Sequence, residues 1–193
     1  MWPAVCEHLL GFVAALAVGW SIRLVDDALD LELDLAVGRS NLCQQLQGGT
    51  AAYAVAAFAI GVVARPTVAL ALFAAAYLMG MFDDGRLLPT GLPGWLEGLL
   101  LFGLVLFRVG TRVAVASLLV MLAAQLTDDL RDQQLDQGCK RGRLIHLLGP
   151  IGVALVVTTA CAFALHLHTW LVVYSLPVFA YFQRRERKGR LPC

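Results

Sequence analysis

Long apolar runs alternate with short polar breaks along the whole chain. The runs fall near residues 5–25, 50–64, 66–82, 94–109, 111–127, 144–165 and 169–182. The breaks read ARP at 64–66, GLPG at 91–94, VGTR at 109–112 and HLH at 166–168. No run shows the period-two alternation of a half-buried strand, and an open sheet would leave unpaired edges in lipid. Several runs are shorter than the roughly 20 residues of a standard span, but their polar ends can supply further turns. The pattern predicts an all-α fold, a polytopic transmembrane bundle of about seven helices. It forms one domain over residues 1–193, with a basic tail at 184–193.

Composition agrees. Hydrophobic residues make up 59% of the chain and charged residues 15%, against about 45–50% and about 25% in soluble domains. The net charge of +1 hides a strong segregation of charge along the chain. No basic face exists outside the tail, which excludes nucleic acid as a partner. The opening MWPAVCEHLL carries no Lys or Arg and no small-residue cleavage site, so it does not read as a signal peptide. The five cysteines form no CxxC pair and read as free thiols.

The breaks sort the charges onto two faces. One face receives residues 26–49, 83–93, 128–143 and the tail after 183. It holds Arg39, Arg86, Arg131, Lys140, Arg141, Arg143 and the cations of RRERKGR at 184–190. The opposite face holds Arg65, Arg108 and Arg112, and Arg23 lies inside the first run. Positive charge marks the first face as cytoplasmic, with the amino terminus outside and the carboxyl terminus inside. The expected location is the plasma membrane of a bacterium or archaeon. The tail reads as a contact for anionic lipid headgroups.

All ten aspartates lie on that same face. The positive-inside rule does not require this, because acidic residues hardly influence topology. Eight of the ten fall in two nonapeptides, DDALDLELD at 26–34 and DDLRDQQLD at 128–136. Both fit D-D-x-x-D-x-x-L-D, and both follow an apolar run. One acidic cluster after a membrane helix reads as a solvated helix end. Two copies of one pattern on one face argue for a shared site. The pair Asp83 and Asp84 is weaker and reads equally well as a solvated loop.

Residues at i, i+4 and i+8 share a helix face. Asp26, Asp30 and Asp34 therefore form one acidic stripe, and Asp128, Asp132 and Asp136 another, each about 12 Å long. Asp27 and Asp129 point roughly 100° away and take a lesser part. Like charges at this spacing destabilise a helix unless they are neutralised. Mg²⁺ prefers carboxylates, water and substrate phosphate oxygens. Two such stripes facing one another would make a site for a diphosphate held through Mg²⁺.

These residues resemble the UbiA-type intramembrane prenyltransferases. That family carries an N-D-x-x-D-x-x-x-D motif at the end of one helix and a D-x-x-x-D motif further on. DDALDLELD matches the first, with Asp26 where the family has Asn, and DDLRDQQLD matches the second. The continuation QGCKRGRLIHLLG is similar to the family's stretch into the next helix. The second motif looks most like that of menaquinone-type members. The resemblance implies a Mg²⁺-dependent transfer of a prenyl group from a prenyl diphosphate to a lipophilic, often aromatic, acceptor. It implies metal-binding roles for Asp26, Asp30, Asp34, Asp128, Asp132 and Asp136, with Asp30 and Asp132 as the catalytic pair. Arg86, in FDDGRLLP at 82–89, matches a family loop cation near the diphosphate. Arg39, Lys140 and Arg141 are further diphosphate candidates by charge and face, and positive-inside residues on the other reading.

The chain departs from the family in lacking its usual first and last helices and the Arg-Pro stretch after the first motif, where GRSNLCQQLQGG stands. A homodimer would seal the wall this leaves open. The second hypothesis is a lipid-diphosphate or cation-binding membrane protein without transferase activity. A cation transporter fits poorly, because its sites sit near the midplane. His166 and His168 read as interface residues rather than metal ligands. Trp20, Phe82 and Trp95 read as packing or interface anchors.

Overall fold

The computed structural model describes residues 2–37, 41–82, 87–135 and 143–189, with no description of the side chains of 2–4, 33, 37, 131–147 and 183–189. Its named elements are all helices: α1 (Trp2–Leu29), α2 (Leu31–Val37), α3 (Leu42–Leu46), α4 (Thr50–Ala64), α5 (Pro66–Met81), α6 (Gly94–Val109), α7 (Thr111–Leu135) and α8 (Arg143–Gly189). The predicted apolar runs coincide with α1 and α4 to α8. Among the described residues, three segments are long and apolar enough to cross a membrane: Val5–Leu29, Thr111–Leu130 and Leu148–Phe182. Helices α4 and α5 are apolar but shorter. Large apolar side chains remain exposed on several helices, among them Val63 (86%), Phe107 (92%) and Ile151 (78%). Helices apolar on all sides suit a lipid environment rather than water.

Helix α8 departs from the single run expected over 144–165. The backbone turns at Gly149 (φ 66°), directly before Pro150. Positive φ is open to Gly, and Pro is suited to the first turn of the helical segment that follows. The break expected at HLH is present, because His168 is extended (φ −157°). Its ring Nδ1 accepts from Leu171 N at 3.1 Å, so the histidine caps the segment that follows, as Ser or Asp ordinarily would. Within 26–49, the segment assigned to the cytoplasmic face, the chain continues as the short helices α2 and α3.

The chain forms two compact units: Met1–Phe73 with Val173–Cys193, and Ala74–Val172. In the first unit α1 packs on α4 through small residues. A Cβ added at Gly61 would sit 2.9 Å from Val18 Cγ2 and 3.3 Å from Ala14 O. Bare backbone is thus what lets α4 approach α1, as in close-packed membrane helices. Gly61→Leu is expected to lower the unfolding free energy by about 1–3 kcal/mol, measured by reversible unfolding in mixed micelles. The last part of α8 lies along α1 in the same way. Gly11 faces the Tyr174 ring, Gly19 faces Val178 and Phe182, and Trp20 meets Phe182 edge-on at 5.1 Å. At the start of α1, His8 Nδ1 and Tyr174 Oη are hydrogen-bonded at 2.6 Å, and Arg65 Nη1 donates to Glu7 O at 3.0 Å.

In the second unit Leu126 of α7 and Val153 of α8 form a core joined by Leu122, Leu130, Val156 and Val157. Gly98 admits Leu78 at close range. Tyr77 Oη (2.7 Å) and Thr90 Oγ1 (2.6 Å) both donate to the Glu97 carboxylate, which ties α5, the 87–93 turn and α6 together. Both nonapeptides therefore sit at the ends of helices that are firmly packed within their own units.

Candidate functional site

DDALDLELD spans the end of α1 and most of α2. The chain bends at Asp30, between Leu29 and Leu31. Asp30 N donates to Asp26 O (2.9 Å) and Asp34 N to Asp30 O (2.8 Å), so the four-residue register continues across the bend. Asp26 is exposed, and Asp30 and Asp34 are half-buried. DDLRDQQLD lies on α7, which continues to Leu135. Asp128 and Asp132 are one turn apart on that helix, and Asp128 and Asp129 are half-buried. The first nonapeptide belongs to the first unit and the second to the other. Asp132 is placed by its backbone alone. Arg39, Asp83, Asp84, Arg86, Asp136, Lys140 and Arg141 lie outside the described residues.

Asp27, expected to point away from the stripe of Asp26, Asp30 and Asp34 and to take a lesser part in it, is 3% exposed, deeper than those three. Its Oδ1 meets Arg23 Nη2 at 2.8 Å, and its Oδ2 accepts from Leu42 N at 3.2 Å. A buried carboxylate persists only when it is paired and hydrogen-bonded, and here both oxygens are engaged. Asp27 thus joins the end of α1 to the start of α3. Arg23, four residues earlier and the only cation in the first apolar run, was the available signal for this pair.

Asn41 was not singled out by sequence. It is 2% exposed and sits at the N-cap of α3, where its Oδ1 accepts from Cys43 N at 2.8 Å. Its Nδ2 donates to Asp27 O at 2.7 Å and to Asp34 Oδ2 at 2.8 Å. The carbonyls of a helix's last turn lack intrahelical partners, and Asn41 satisfies one of them at the end of α1. An Asn one residue before a short helix is a cap signal, but its reach back to Asp27 and Asp34 depends on how the chain folds over 35–41.

Among the described residues, no three His, Cys, Asp or Glu side chains stand grouped to hold a metal ion. Mg²⁺ does not require such a cage, because it takes one or two carboxylates and completes its shell with water and phosphate oxygens. Asp26, Asp30 and Asp34 carry the hard oxygens Mg²⁺ takes, but their side chains are not grouped to hold an ion. Asp27 is not among them, since Arg23 and Leu42 occupy its oxygens. No family model matches the sequence, and no characterised protein or solved structure matches it either.

Proposed function

We propose that the chain acts as a Mg²⁺-dependent intramembrane prenyltransferase, similar to the UbiA-type enzymes. One observation supports this above others. Among the described residues, two of the three segments long enough to span a membrane, Val5–Leu29 and Thr111–Leu130, each run into a copy of the same four-aspartate pattern. In this reading about seven spans put both copies on the cytoplasmic face, with the amino terminus outside. In the same reading the carboxylates that would hold Mg²⁺ are Asp26, Asp30 and Asp34 of the first motif and Asp128, Asp132 and Asp136 of the second. The metal supplies the positive charge that retains the diphosphate and stabilises it as a leaving group. Arg86, Arg39, Lys140 and Arg141 add cationic contacts to the same oxygens.

The rest of the work falls to the chain's apolar surface. The bond between the prenyl C1 and the diphosphate oxygen breaks, and the electron pair leaves with the diphosphate. Apolar helices exclude water from the allylic carbocation, so that it meets the acceptor rather than hydroxide. Aromatic ring faces stabilise such a cation. The acceptor forms the new bond to C1 and gives up a proton.

The test is diphosphate release from a long prenyl diphosphate by the full chain in lipid nanodiscs. Release is expected to need both Mg²⁺ and an aromatic acceptor, and to stop on chelation. Tight binding of the prenyl diphosphate with no release across a panel of acceptors would overturn the enzymatic reading. It would leave a lipid-diphosphate-binding protein.

A further inference from the structure

We infer that the chain is a tandem duplication of one three-helix membrane unit. The two copies run in the same orientation, with α6 as the crossing between them, so that both aspartate motifs are reached from one side of the membrane. This goes beyond the proposed reaction and holds whether or not the motifs bind a metal.

The motifs are 102 positions apart, and the likeness begins before them. At the same spacing Val13, Ala14, Leu16, Val18 and Leu24 recur as Val115, Ala116, Leu118, Val120 and Leu126. Apolar helices share such residues by chance, and burial and backbone geometry are more specific. The buried face of α1 at Ala14, Val18 and Leu24 recurs on α7 at Ala116, Val120 and Leu126. After each motif the chain passes a left-handed residue, Gln47 (φ 46°) and Gly149 (φ 66°), again 102 apart. An apolar helix follows in each copy and ends on one extended residue. Arg65 has φ −157° and ψ 93°, and His168 has φ −157° and ψ 83°. Pro66 accounts for the first break, whereas Thr169 follows His168, yet the backbone turns in the same way. A third helix comes next. One inserted residue makes the spacing 103, and Val68, Ala69 and Leu72 of α5 then correspond to Leu171, Val172 and Ser175 of α8, all buried. The boundary between the two compact units also falls inside this third helix in both copies, after Phe73 and after Val172. The copies differ at Gln125, which stands in the place of Arg23, so the Arg23–Asp27 pair belongs to the first copy.

Repeats in a membrane are parallel or inverted according to the crossings that separate them. Three crossings and then α6 bring the second copy into the bilayer in the direction of the first. Without the α6 crossing the copies would be inverted and the motifs would open on opposite sides. Helix α6 has 16 residues, about 24 Å of helix, and α4 and α5 are of like length, with 15 and 16. Spans this short are met by local thinning of the bilayer. The charges of α6, Glu97 and Arg108, stand in its first and last turns. Leu100, Leu104 and Phe107 on the stretch between Glu97 and Arg108 are exposed, as suits a segment that faces lipid.

The test is the sidedness of the full chain in cell membranes. The five cysteines are replaced by serine, and Thr67→Cys, Leu87→Cys, Thr111→Cys and Thr169→Cys are made one at a time at these exposed positions. They follow α4, precede α6, follow α6 and follow the break in α8. Labelling by a membrane-impermeant maleimide is compared before and after permeabilisation. Thr67→Cys, Thr111→Cys and Thr169→Cys are expected to give one result and Leu87→Cys the opposite one. Thr111→Cys behaving as Leu87→Cys does would show that α6 does not cross, and would overturn the inference. So would opposite results at Thr67→Cys and Thr169→Cys, which would put the equivalent breaks on different sides. If the cysteine-free chain does not fold, alkaline phosphatase and green fluorescent protein inserted at 87 and at 111 give a second route. Each reporter is expected to be active at one site only, and the same reporter active at both would overturn the inference. Neither readout involves turnover, so a failure of the proposed reaction is told apart from a failure of the duplication.

Discussion

Asp30→Asn and Asp132→Asn are each expected to cut Mg²⁺-dependent diphosphate release by about 10²–10³-fold, the range seen when one preorganised electrostatic group is lost from a reacting site. Asn is nearly isosteric with Asp and keeps a carbonyl oxygen, but it carries no charge. The substitution therefore removes the attraction for a divalent cation and leaves the helices in place. Asp30 is half-buried at the bend between α1 and α2, and Asp132 is on α7 one turn beyond Asp128. If both act on one diphosphate, the double variant should be little worse than either single one, because residues that act as a unit are not additive. Release by both variants at the wild-type rate would show that neither stripe binds the reacting group. Assays need the variants at equal concentration in nanodiscs, over a range of Mg²⁺. A loss of metal affinity would then appear as a shift in the Mg²⁺ dependence, distinct from a fall in the maximal rate.

Arg23→Gln is expected to be the most destabilising single change near this site, by about 3 kcal/mol. Breaking a buried ion pair costs about 3–5 kcal/mol because the remaining charge is left uncompensated. The lower end applies here, since the Arg23 side chain keeps 28% exposure while that of Asp27 keeps 4%. The double variant Arg23→Gln with Asp27→Asn should be more stable than Arg23→Gln alone, because it leaves no unpaired charge in the interior. Unfolding free energies of the three variants in mixed micelles give the comparison. A double variant no more stable than the single one would mean that Asp27 does not depend on Arg23.

Much of the architecture was legible in the chain. The apolar runs predicted where α1 and α4 to α7 lie, and HLH marked the bend at His168. Such runs are readable because a membrane imposes one demand on every segment, that backbone groups be satisfied locally. The bend at Gly149 was less visible, because Gly and Pro occur within an otherwise unbroken apolar run. The four-residue spacing of the aspartates was readable for the same local reason. It reflects helical period alone, and the hydrogen bonds at Asp30 and Asp34 preserve it even across a bend.

Asp26 and Asp27 show where local reading stops. The two are adjacent and chemically identical, and helical period separates them only by direction. What gives them different surroundings is the return of the chain at Asn41 and Leu42, fourteen and fifteen residues after Asp27. That contact is non-local, so no pattern around residue 27 encodes it. The sequence by itself determined an all-helical, apolar chain with two matching acidic helix ends. Tertiary structure decided which acid of the first end is buried against Arg23 and which is held by Asn41. Period is a property of consecutive residues, whereas burial and hydrogen-bond partners depend on which distant segment folds back against them.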